Sequence, residues 1–590
     1  MELTIEQKKV IQSNHDLVIN AVAGSGKTTT LIEYAKSRPT SQKILYLAFN
    51  KTVKTEAIQK FSAAGVHHVK VETAHSLAYD YIIRNSNYDL AQGYKSHEWR
   101  DLLNIRTGDI HVDLVIANHV NKYISLFCNS RATRVQELSY EDVITDPKAS
   151  TFVKQFRTRI DKYTREALAR MDKAQIPVTH DFYLKKFQLS NPKLNYDYIL
   201  FDEGQDASAA MLDVFLNQDA VRIIVGDMHQ QIYGWRFAIN SLQQVDFPVV
   251  DLTHSFRFNE EIALIANKIL DWKKHLGQTS PIKIIGAGTA SDNISTKATL
   301  GRTNLALLVN AITQWQQGNL RKLYFEGNIN SYTFADEGAS LYDVLNLYNG
   351  KLEKIRDKLI REMKSMSELE DYIRKTEDSN LAMIVEVVKE FGNRLPGLIN
   401  ELKQNHTATK EEADMIFSTV HRCKGMEYDQ VTLLHDFTNE EKIMRNVKER
   451  DGEKPTEAEI NRLAEELNIL YVAVTRAKSK LIIPAEINPL KSIEMAAAPL
   501  PISSYRPRSY GKSYLDYSDP FDWKAEKSDY TGMRKTNYRK KWTIEEEQEL
   551  KQLFNGKNSI ATIARRLARG QNAVRYKLTD LGYDPNEFEF

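Results

Sequence analysis

Short, uninterrupted apolar runs separated by longer stretches of helical periodicity set the first expectation for this chain. Leu17-Val18-Ile19-Asn20-Ala21-Val22, Lys43-Ile44-Leu45-Tyr46-Leu47-Ala48-Phe49, Tyr198-Ile199-Leu200-Phe201 and Val221-Arg222-Ile223-Ile224-Val225-Gly226 each read as a buried strand. Strands covered on both faces appear as continuous hydrophobic runs, so the pattern predicts parallel α/β layering and argues against a sandwich. Between the second and third runs, at about residues 85–190, a long polar block carries helical periodicity and little strand signal, which predicts a helical insertion. A second α/β set follows Phe247-Pro248-Val249-Val250-Asp251-Leu252. A charged helical block at about 311–410 interrupts it, and it resumes at Met415-Ile416-Phe417-Ser418-Thr419. From about 487 to 535 the chain turns to Pro, Ser, Tyr and Lys, with Pro499, Pro501, Pro507 and Pro520, and reads as a linker.

Composition narrows the class without naming it. A chain of 590 residues is too long for one core and suggests roughly three to five domains. With 42% hydrophobic and 27% charged residues it has the make-up of an ordinary soluble protein. A net charge of +2 does not announce nucleic-acid binding, so any basic surface has to be local. The first residues, Met1-Glu2-Leu3-Thr4-Ile5-Glu6, lack an apolar core, so no secretory signal is expected, and no run is long enough to span a membrane. Cys128 and Cys423 are too few for a disulfide framework or metal cluster, which fits a reducing, cytoplasmic setting.

The strongest chemical signal follows the first strand. Ala23-Gly24-Ser25-Gly26-Lys27-Thr28-Thr29 leads into a helical run at Leu31-Ile32-Glu33. Glycines let the backbone curl so that N–H groups point at phosphate oxygens, and the helix N-terminus adds its positive end. In that cradle Lys27 would reach the β- and γ-phosphates of ATP, and the Thr28 hydroxyl would ligate Mg²⁺. The usual pattern opens with Gly six residues before the Lys, where this chain has Ala21. After the third strand comes Asp202-Glu203-Gly204-Gln205-Asp206. Asp202 would hold the same Mg²⁺, and Glu203 would orient and deprotonate the attacking water.

Further motifs complete a resemblance. The order Thr4-Ile5-Glu6-Gln7, Ala48-Phe49-Asn50-Lys51, Thr73-Ala74-His75-Ser76, Val225 to Arg236, Leu252 to Arg257, Gly301-Arg302-Thr303-Asn304, Ser418 to Glu427 and Leu470 to Ala477 resembles the UvrD/Rep-type superfamily 1 DNA helicases. The likeness covers about residues 1–485 and is greatest to the branch containing the eukaryotic F-box helicase and its bacterial and phage relatives. It implies an ATP-dependent motor moving 3′→5′ on single-stranded DNA and unwinding duplexes. It puts Gln7 on the adenine, Phe256 stacked on that base, Glu427 on the ribose and Gln230 on the γ-phosphate. Arg257 and Arg476 would supply cations from a second domain, worth ~10³–10⁵ in rate. Stacking a base on an aromatic tolerates every sequence, and Phe49, Tyr233 and Trp235 are the candidates; Asn50, Thr73, His75, Ser76, Arg236, Thr419 and His421 would contact the strand. Gly204 stands where the family usually has Ala, the 311–410 block is short for the mobile accessory domain, and apart from the motif that begins at Gly301 the sequence as far as Asp414 matches nothing in the family.

The C-terminal segment reads separately. Thr543 caps a first helix, Ser559 to Leu567 gives a second and Gln571 to Leu578 a third, a layout that resembles a Myb/SANT-like helix-turn-helix. Residues 534–577 carry twelve cations and four acids, a net of +8 that fits phosphate binding; a protein-interaction module is the alternative. The expected fold is α/β, with two RecA-like parallel-sheet motor domains, each with a helical insertion, and a small all-α tail. The first motor domain is expected at 1–84 and 191–250, with its insertion at 85–190. The second is expected at 251–310 and 411–486, with its insertion at 311–410, followed by a linker at 487–535 and the tail at 536–590. Expected partners are single-stranded DNA and duplex junctions, with a monomer as the active unit in a bacterial or phage-infected cell. An RNA-directed motor, or a DNA-bound ATP switch that remodels protein without unwinding, are the rivals.

Overall fold

The computed structural model describes residues 2–234, 237–278, 282–327, 329–332, 339–448 and 455–490, and towards the C-terminus 542–555, 560–567, 574, 577–578, 581 and 583. The chain divides into two units, Met1–Met495 and Ala496–Phe590.

The first sheet of the larger unit is built from β1 (Leu17–Ala21), β2 (Ile44–Ala48), β3 (Val69–Thr73), β4 (Tyr198–Phe201), β5 (Val221–Gly226) and β6 (Val249–Leu252). Their order is β3-β2-β4-β5-β1-β6, and every neighbouring pair is parallel. The continuous apolar runs are β1, β2 and β4, buried along their whole length. The edge strand β3 escapes that pattern because only Val71 is buried, while Lys70 and Glu72 interrupt the run. The Phe247–Leu252 run closes the first sheet beside β1, so β6 reaches past the expected boundary at 250.

The second sheet begins after a two-residue pair, β7 (His254–Ser255) with β8 (Ile285–Gly286). Its strands are β9 (Lys297–Gly301), β10 (Leu323–Phe325), β11 (Met415–Thr419), β12 (Tyr428–Leu433) and β13 (Ala477–Ile482), ordered β10-β11-β9-β12-β13 and parallel throughout. Strand β10 falls inside the 311–410 block that the periodicity marks as helical. It is three residues long and flanked by Arg321-Lys322 and Glu326-Gly327, too short to carry a period. The helix Asn304–Gln316 packs on β9 and β11 through Leu307, Leu308, Ala311 and Ile312, so it also belongs to this sheet.

The insertion leaving the first sheet comprises helices Ser96–Leu102, Ile110–Asn129, Pro147–Asp172 and His180–Leu189. The longest of these has Asp146 accepting from the Lys148 and Ala149 amides, with Pro at its first position, where a missing N–H costs nothing. The block leaving the second sheet comprises Leu341–Tyr348, Met366–Thr376, Ser379–Phe391 and Leu395–Gln404. These two sets of helices share one apolar core, with Trp99, Ile116, Val120 and Phe152 on one side and Leu369 and Tyr372 on the other. Polar ties reinforce the join. The Glu377 carboxylate, at a left-handed φ of 51°, accepts from the Thr145 and Asp146 amides at 3.0 and 2.7 Å, and His119 Nε2 donates to the Lys375 carbonyl at 2.9 Å.

In the smaller unit, Thr543 and Glu546 form a reciprocal capping box on the helix Ile544–Asn555 (3.1 and 3.2 Å). That helix and Ile560–Arg566 enclose a small core of Leu550, Phe554, Ile563, Leu567, Val574 and Leu578, with Trp542 packed against it. Most of the expected third helix lies outside the described residues, as does the expected linker apart from 487–490. Among the described residues no helix is long and apolar enough to cross a membrane, no acidic, His or Cys cluster could hold a metal by itself, and both cysteines are buried.

Candidate active site

Loops at the carboxyl ends of β1, β4 and β5 converge on one crevice, the place where open parallel sheets carry ligands. The loop after β1 turns on Gly24 and Gly26, whose φ values of 77° and 79° suit glycine. Gly24 also has to be glycine for space, since a Cβ there would lie 2.6 Å from Arg257 Cβ and 2.7 Å from Ser255 Oγ. The Phe256 amide donates to the Gly24 carbonyl at 2.9 Å, so the segment after β7 closes directly over the loop. The helix Lys27–Lys36 starts at Gly26 with no side-chain cap, which leaves its first amides facing the loop, and Ser25 Oγ is buried without a hydrogen-bond partner. Uncapped amides, an orphaned hydroxyl and an ammonium together fit a polyphosphate. Thr28 is half-buried and Thr29 exposed at the start of that helix.

Lys27 Nζ sits 2.6 Å from Glu203 Oε1. Burial opposes the Lys27 ammonium, but Glu203, Asp202 and Asp227 outweigh it and raise its pKa. Burial likewise opposes the Glu203 carboxylate, yet Lys27 and Lys424 hold it down to about 2. Glu203 adopts a left-handed φ of 53° and its second oxygen accepts from Gln205 Nε2. Asp202 is raised by burial and by Glu203 beside it, and it accepts from the Tyr46 hydroxyl and the Glu203 amide. Asp206 is pushed up to about 6, chiefly by burial, and is paired with Lys424, which also donates to the Gln230 carbonyl at 2.7 Å. The Thr28 hydroxyl and Asp202 carboxylate are hard oxygen donors of the kind Mg²⁺ takes.

From across the crevice come two arginines. Arg476 is fully buried, lowered to about 10 by burial and by Arg257; it donates to the Met426 carbonyl at 3.1 Å and to Gln230 Oε1 at 3.5 Å. Arg257 donates to Glu427 at 2.9 Å and to the Thr475 carbonyl at 3.0 Å. Gln230 Nε2 donates to Asp227 at 2.8 Å. Gln7 reaches the same loop: its Nε2 donates to Thr30 Oγ1 at 3.1 Å and the Ser25 carbonyl at 3.4 Å, while its Oε1 takes the Thr4 amide. Glu203, Gln230, Arg257, Arg476, Gln7, Lys27, Phe256 and Glu427 are thus brought to one seam between the two sheets.

The residues expected to contact a strand are more dispersed. Phe49 and Tyr233 stack at 5.8 Å with planes 20° apart, and Phe49 remains exposed. The Tyr233 hydroxyl donates to the His421 carbonyl at 3.1 Å, and Lys424 Nζ lies 5.1 Å above the Tyr233 ring. His421 Nε2 donates to the Ile232 carbonyl at 3.0 Å; burial, with Arg302 nearby, lowers its pKa to about 4, so it is neutral at pH 7. Thr73 and Ser76 cap a short helix reciprocally, His75 lies edge-on to His180 and Tyr183, and Asn50 caps the helix Lys51–Ala63. Thr419 ends β11 and is buried. Trp235 and Arg236 lie outside the described residues.

Sequence reasoning passed over Tyr471, whose hydroxyl donates to Asp227 at 2.9 Å and receives the Ala23 amide at 3.5 Å, tying the phosphate loop to the second domain. It also passed over Lys424 and Asp206. Tyr471 and Lys424 sit within quoted motifs, and their hydroxyl and ammonium were the available signal.

Two parallel sheets meeting over the glycine-rich loop after β1, with arginines from the second domain facing the first, define a scaffold of two RecA-like motor domains. Comparison with known proteins narrows the class. The model of the UvrD/REP helicase N-terminal domain matches residues 3–245, and that of the UvrD-like helicase C-terminal domain matches 312–486. Between them they take in well over half the chain, which belongs to the UvrD-like superfamily 1 helicase family. The second match includes most of the stretch between Gly301 and Asp414, in which no motif was legible. F-box DNA helicase 1 of Gallus gallus is 28% identical over 534 residues, 84% of this chain and 50% of its own length. F-box DNA helicase protein 1 of Schizosaccharomyces pombe is 29% identical over 548 residues, 83% of this chain and 58% of its own length. ATP-dependent DNA helicase PcrA of Staphylococcus epidermidis is 30% identical over 130 residues, 20% of this chain and 16% of its own. The chain thus spans about half the length of the two F-box relatives.

Proposed function

We propose that this chain is an ATP-driven DNA helicase and translocase, moving 3′→5′ along single-stranded DNA and opening duplexes at junctions, in repair, recombination or phage replication. The observation that carries this reading is the seam itself, where Lys27, Glu203 and Gln230 of the first domain face Arg257 and Arg476. Ala23 to Thr29 would hold the phosphates of ATP, Thr28 and Asp202 its Mg²⁺, and Gln7, Phe256 and Glu427 the nucleoside. The metal would neutralise phosphate charge. Glu203, kept ionised, would take the proton of the attacking water once a phosphate oxygen draws Lys27 away, and the two arginines would stabilise charge on the departing phosphate. Because those arginines come from the other domain, hydrolysis depends on closure, and closure can be set by DNA.

For the strand, Phe49 and Tyr233 offer a stacked aromatic platform at the mouth of the seam, to which Trp235 would add. Asn50, Thr73, His75, Ser76, Arg236, Thr419 and His421 would line the path, the histidines as neutral hydrogen-bonding groups. That the relatives are named DNA helicases supports DNA over RNA as the substrate. The test is ATP hydrolysis with and without single-stranded DNA or RNA, followed by strand displacement on duplexes with 3′ or 5′ tails. At least tenfold stimulation by DNA and unwinding from 3′ tails are expected. Stimulation by RNA alone, or hydrolysis without displacement, would replace this reading with an RNA motor or a remodelling switch.

A further inference from the structure

A further cation lies in the seam, besides Lys27, Lys424 and the two arginines. Lys273, in the short helical turn Trp272–Leu276, is buried, with 6% of its surface exposed. Its Nζ lies 2.7 Å from Asn468 Oδ1 and 3.0 Å from His229 Nδ1. An ammonium can only donate, so His229 accepts at Nδ1 and carries its proton on Nε2. Burial keeps His229 far below its usual pKa, as that role requires, and draws the ammonium of Lys273 down to about 8. Asn468 completes the circuit by donating from Nδ2 to the Gln231 carbonyl at 2.9 Å.

The partners come from both motor domains. His229 and Gln231 belong to the loop that follows β5, and Asn468 lies on the helix Glu457–Val474 together with Tyr471. The same loop is held at its start by Asp227, which takes the Tyr471 hydroxyl, the His229 amide and Gln230 Nε2. Between these two anchor points lies Gln230. Among the described residues Lys273 forms no direct ion pair: both of its hydrogen-bond acceptors are neutral, and Asp227 of the same loop supports its charge only from beyond contact. A buried cation of that kind adds little stability over an apolar side chain of the same shape. Stability therefore does not explain the ammonium.

We propose that Lys273 is a positioning residue for hydrolysis, gripping the Asp227–Gln231 loop of the first motor domain from the second and so fixing where Gln230 meets the γ-phosphate. The inference rests on the ATP- and DNA-dependent reading above. Lys273 touches no substrate; it acts through His229 and Asn468. Losing it should slow the closed, hydrolysing state without changing how ATP first binds.

The experiment is steady-state ATP hydrolysis at saturating single-stranded DNA for the full chain, Lys273→Met and Lys273→Arg, with thermal unfolding of each. Lys273→Met is expected to lower kcat at least tenfold while KM for ATP stays within about twofold, the signature of an interaction made in the transition state. Lys273→Arg keeps a cation that can donate to both acceptors and is expected to recover kcat to within about threefold. Where Lys273→Met fails to fold, Lys273→Gln, an uncharged side chain whose amide can still donate to one of the two acceptors, serves in its place with the same expected split. An unchanged kcat in a folded Met variant, a loss in KM alone, or a loss that Arg does not rescue would overturn the assignment. A wild-type chain with no DNA-stimulated hydrolysis would overturn the functional reading and this inference with it, whereas an active wild type matched by Lys273→Met overturns this inference alone.

Discussion

Replacing Glu203 by Gln should both stop hydrolysis and tighten ATP binding. Lys27 and Glu203 are 2.6 Å apart, with side chains 16% and 21% exposed. At an effective dielectric near 20 their attraction is about 6 kcal/mol. An incoming phosphate has to take Lys27 from Glu203, and the new contact returns most of that energy to the lysine. It returns nothing to Glu203, which is left ionised beside Asp202 and Asp206, groups already raised by burial and by Glu203 itself. If about a quarter of the attraction goes unrecovered, the native carboxylate weakens ATP binding by roughly 1.5 kcal/mol, or about tenfold. Glutamine keeps the shape and can still bond Gln205, but it makes no such claim on the ammonium. Titration calorimetry with ATP and Mg²⁺ should therefore give a Kd about tenfold lower for Glu203→Gln than for the native chain, while turnover falls at least ~10³. Lys27→Ala should lose turnover and ATP affinity together. A Glu203→Gln Kd equal to or weaker than the native value would refute the idea that the ion pair competes with nucleotide, and near-normal turnover would refute the role of Glu203.

Tyr233→Ala should weaken single-stranded DNA binding by about 1–3 kcal/mol and cost more unwinding than hydrolysis, read by anisotropy and strand displacement; equal losses would favour a packing role for the Phe49–Tyr233 stack. His421 has a folded pKa of about 4 against an ordinary 6.5, so its contribution to stability is present above pH 6.5 and lost as the pH falls through 4. DNA affinity should accordingly gain nothing from His421 between pH 8 and 5.5, and a native-over-His421→Gln affinity ratio that climbs across that range would contradict this. Truncation near residue 530 should leave DNA-stimulated hydrolysis largely intact, because the motor motifs end at Ala477. If the tail's +8 stretch makes three or four phosphate contacts, its loss should flatten the salt dependence of duplex binding by about 3 in log–log slope. An unchanged slope would point to a protein partner for that tail.

What was legible in the sequence was chemistry that admits few residue types. A loop that curls around phosphate needs glycine at Gly24 and Gly26, and the crevice needs a lysine and a carboxylate, so these residues stand out against any background. Strands buried on both faces stand out for a similar reason. Edge strands do not: β3 mixes Lys70 and Glu72 into its run, and β10 has only Leu323, Tyr324 and Phe325. Least legible was the polar seam. Tyr471, Lys273 and Asn468 matter through contacts with Asp227, His229 and Gln231, positions 244, 44 and 237 residues away in the chain. His421 shows a different limit, since a histidine in a motif says nothing about a backbone carbonyl waiting for its proton.

The apolar core shared by the two sets of helices has a mechanical meaning. Plates fastened along one seam can tilt about any axis within it. Fastened at a second point some distance off, they keep only the rotation about the line joining the two. Here one fastening is the seam where Tyr471 meets Asp227 and the loop after β1, and the other is the packing of Met366–Thr376 against Ile110–Asn129 and Pro147–Asp172. While both hold, tilting of one motor domain against the other is confined to one axis, and the helices act as its strut. The Glu377 and His119 ties then sit where the load passes. Any larger swing has to begin by parting that joint and wetting the residues beneath it.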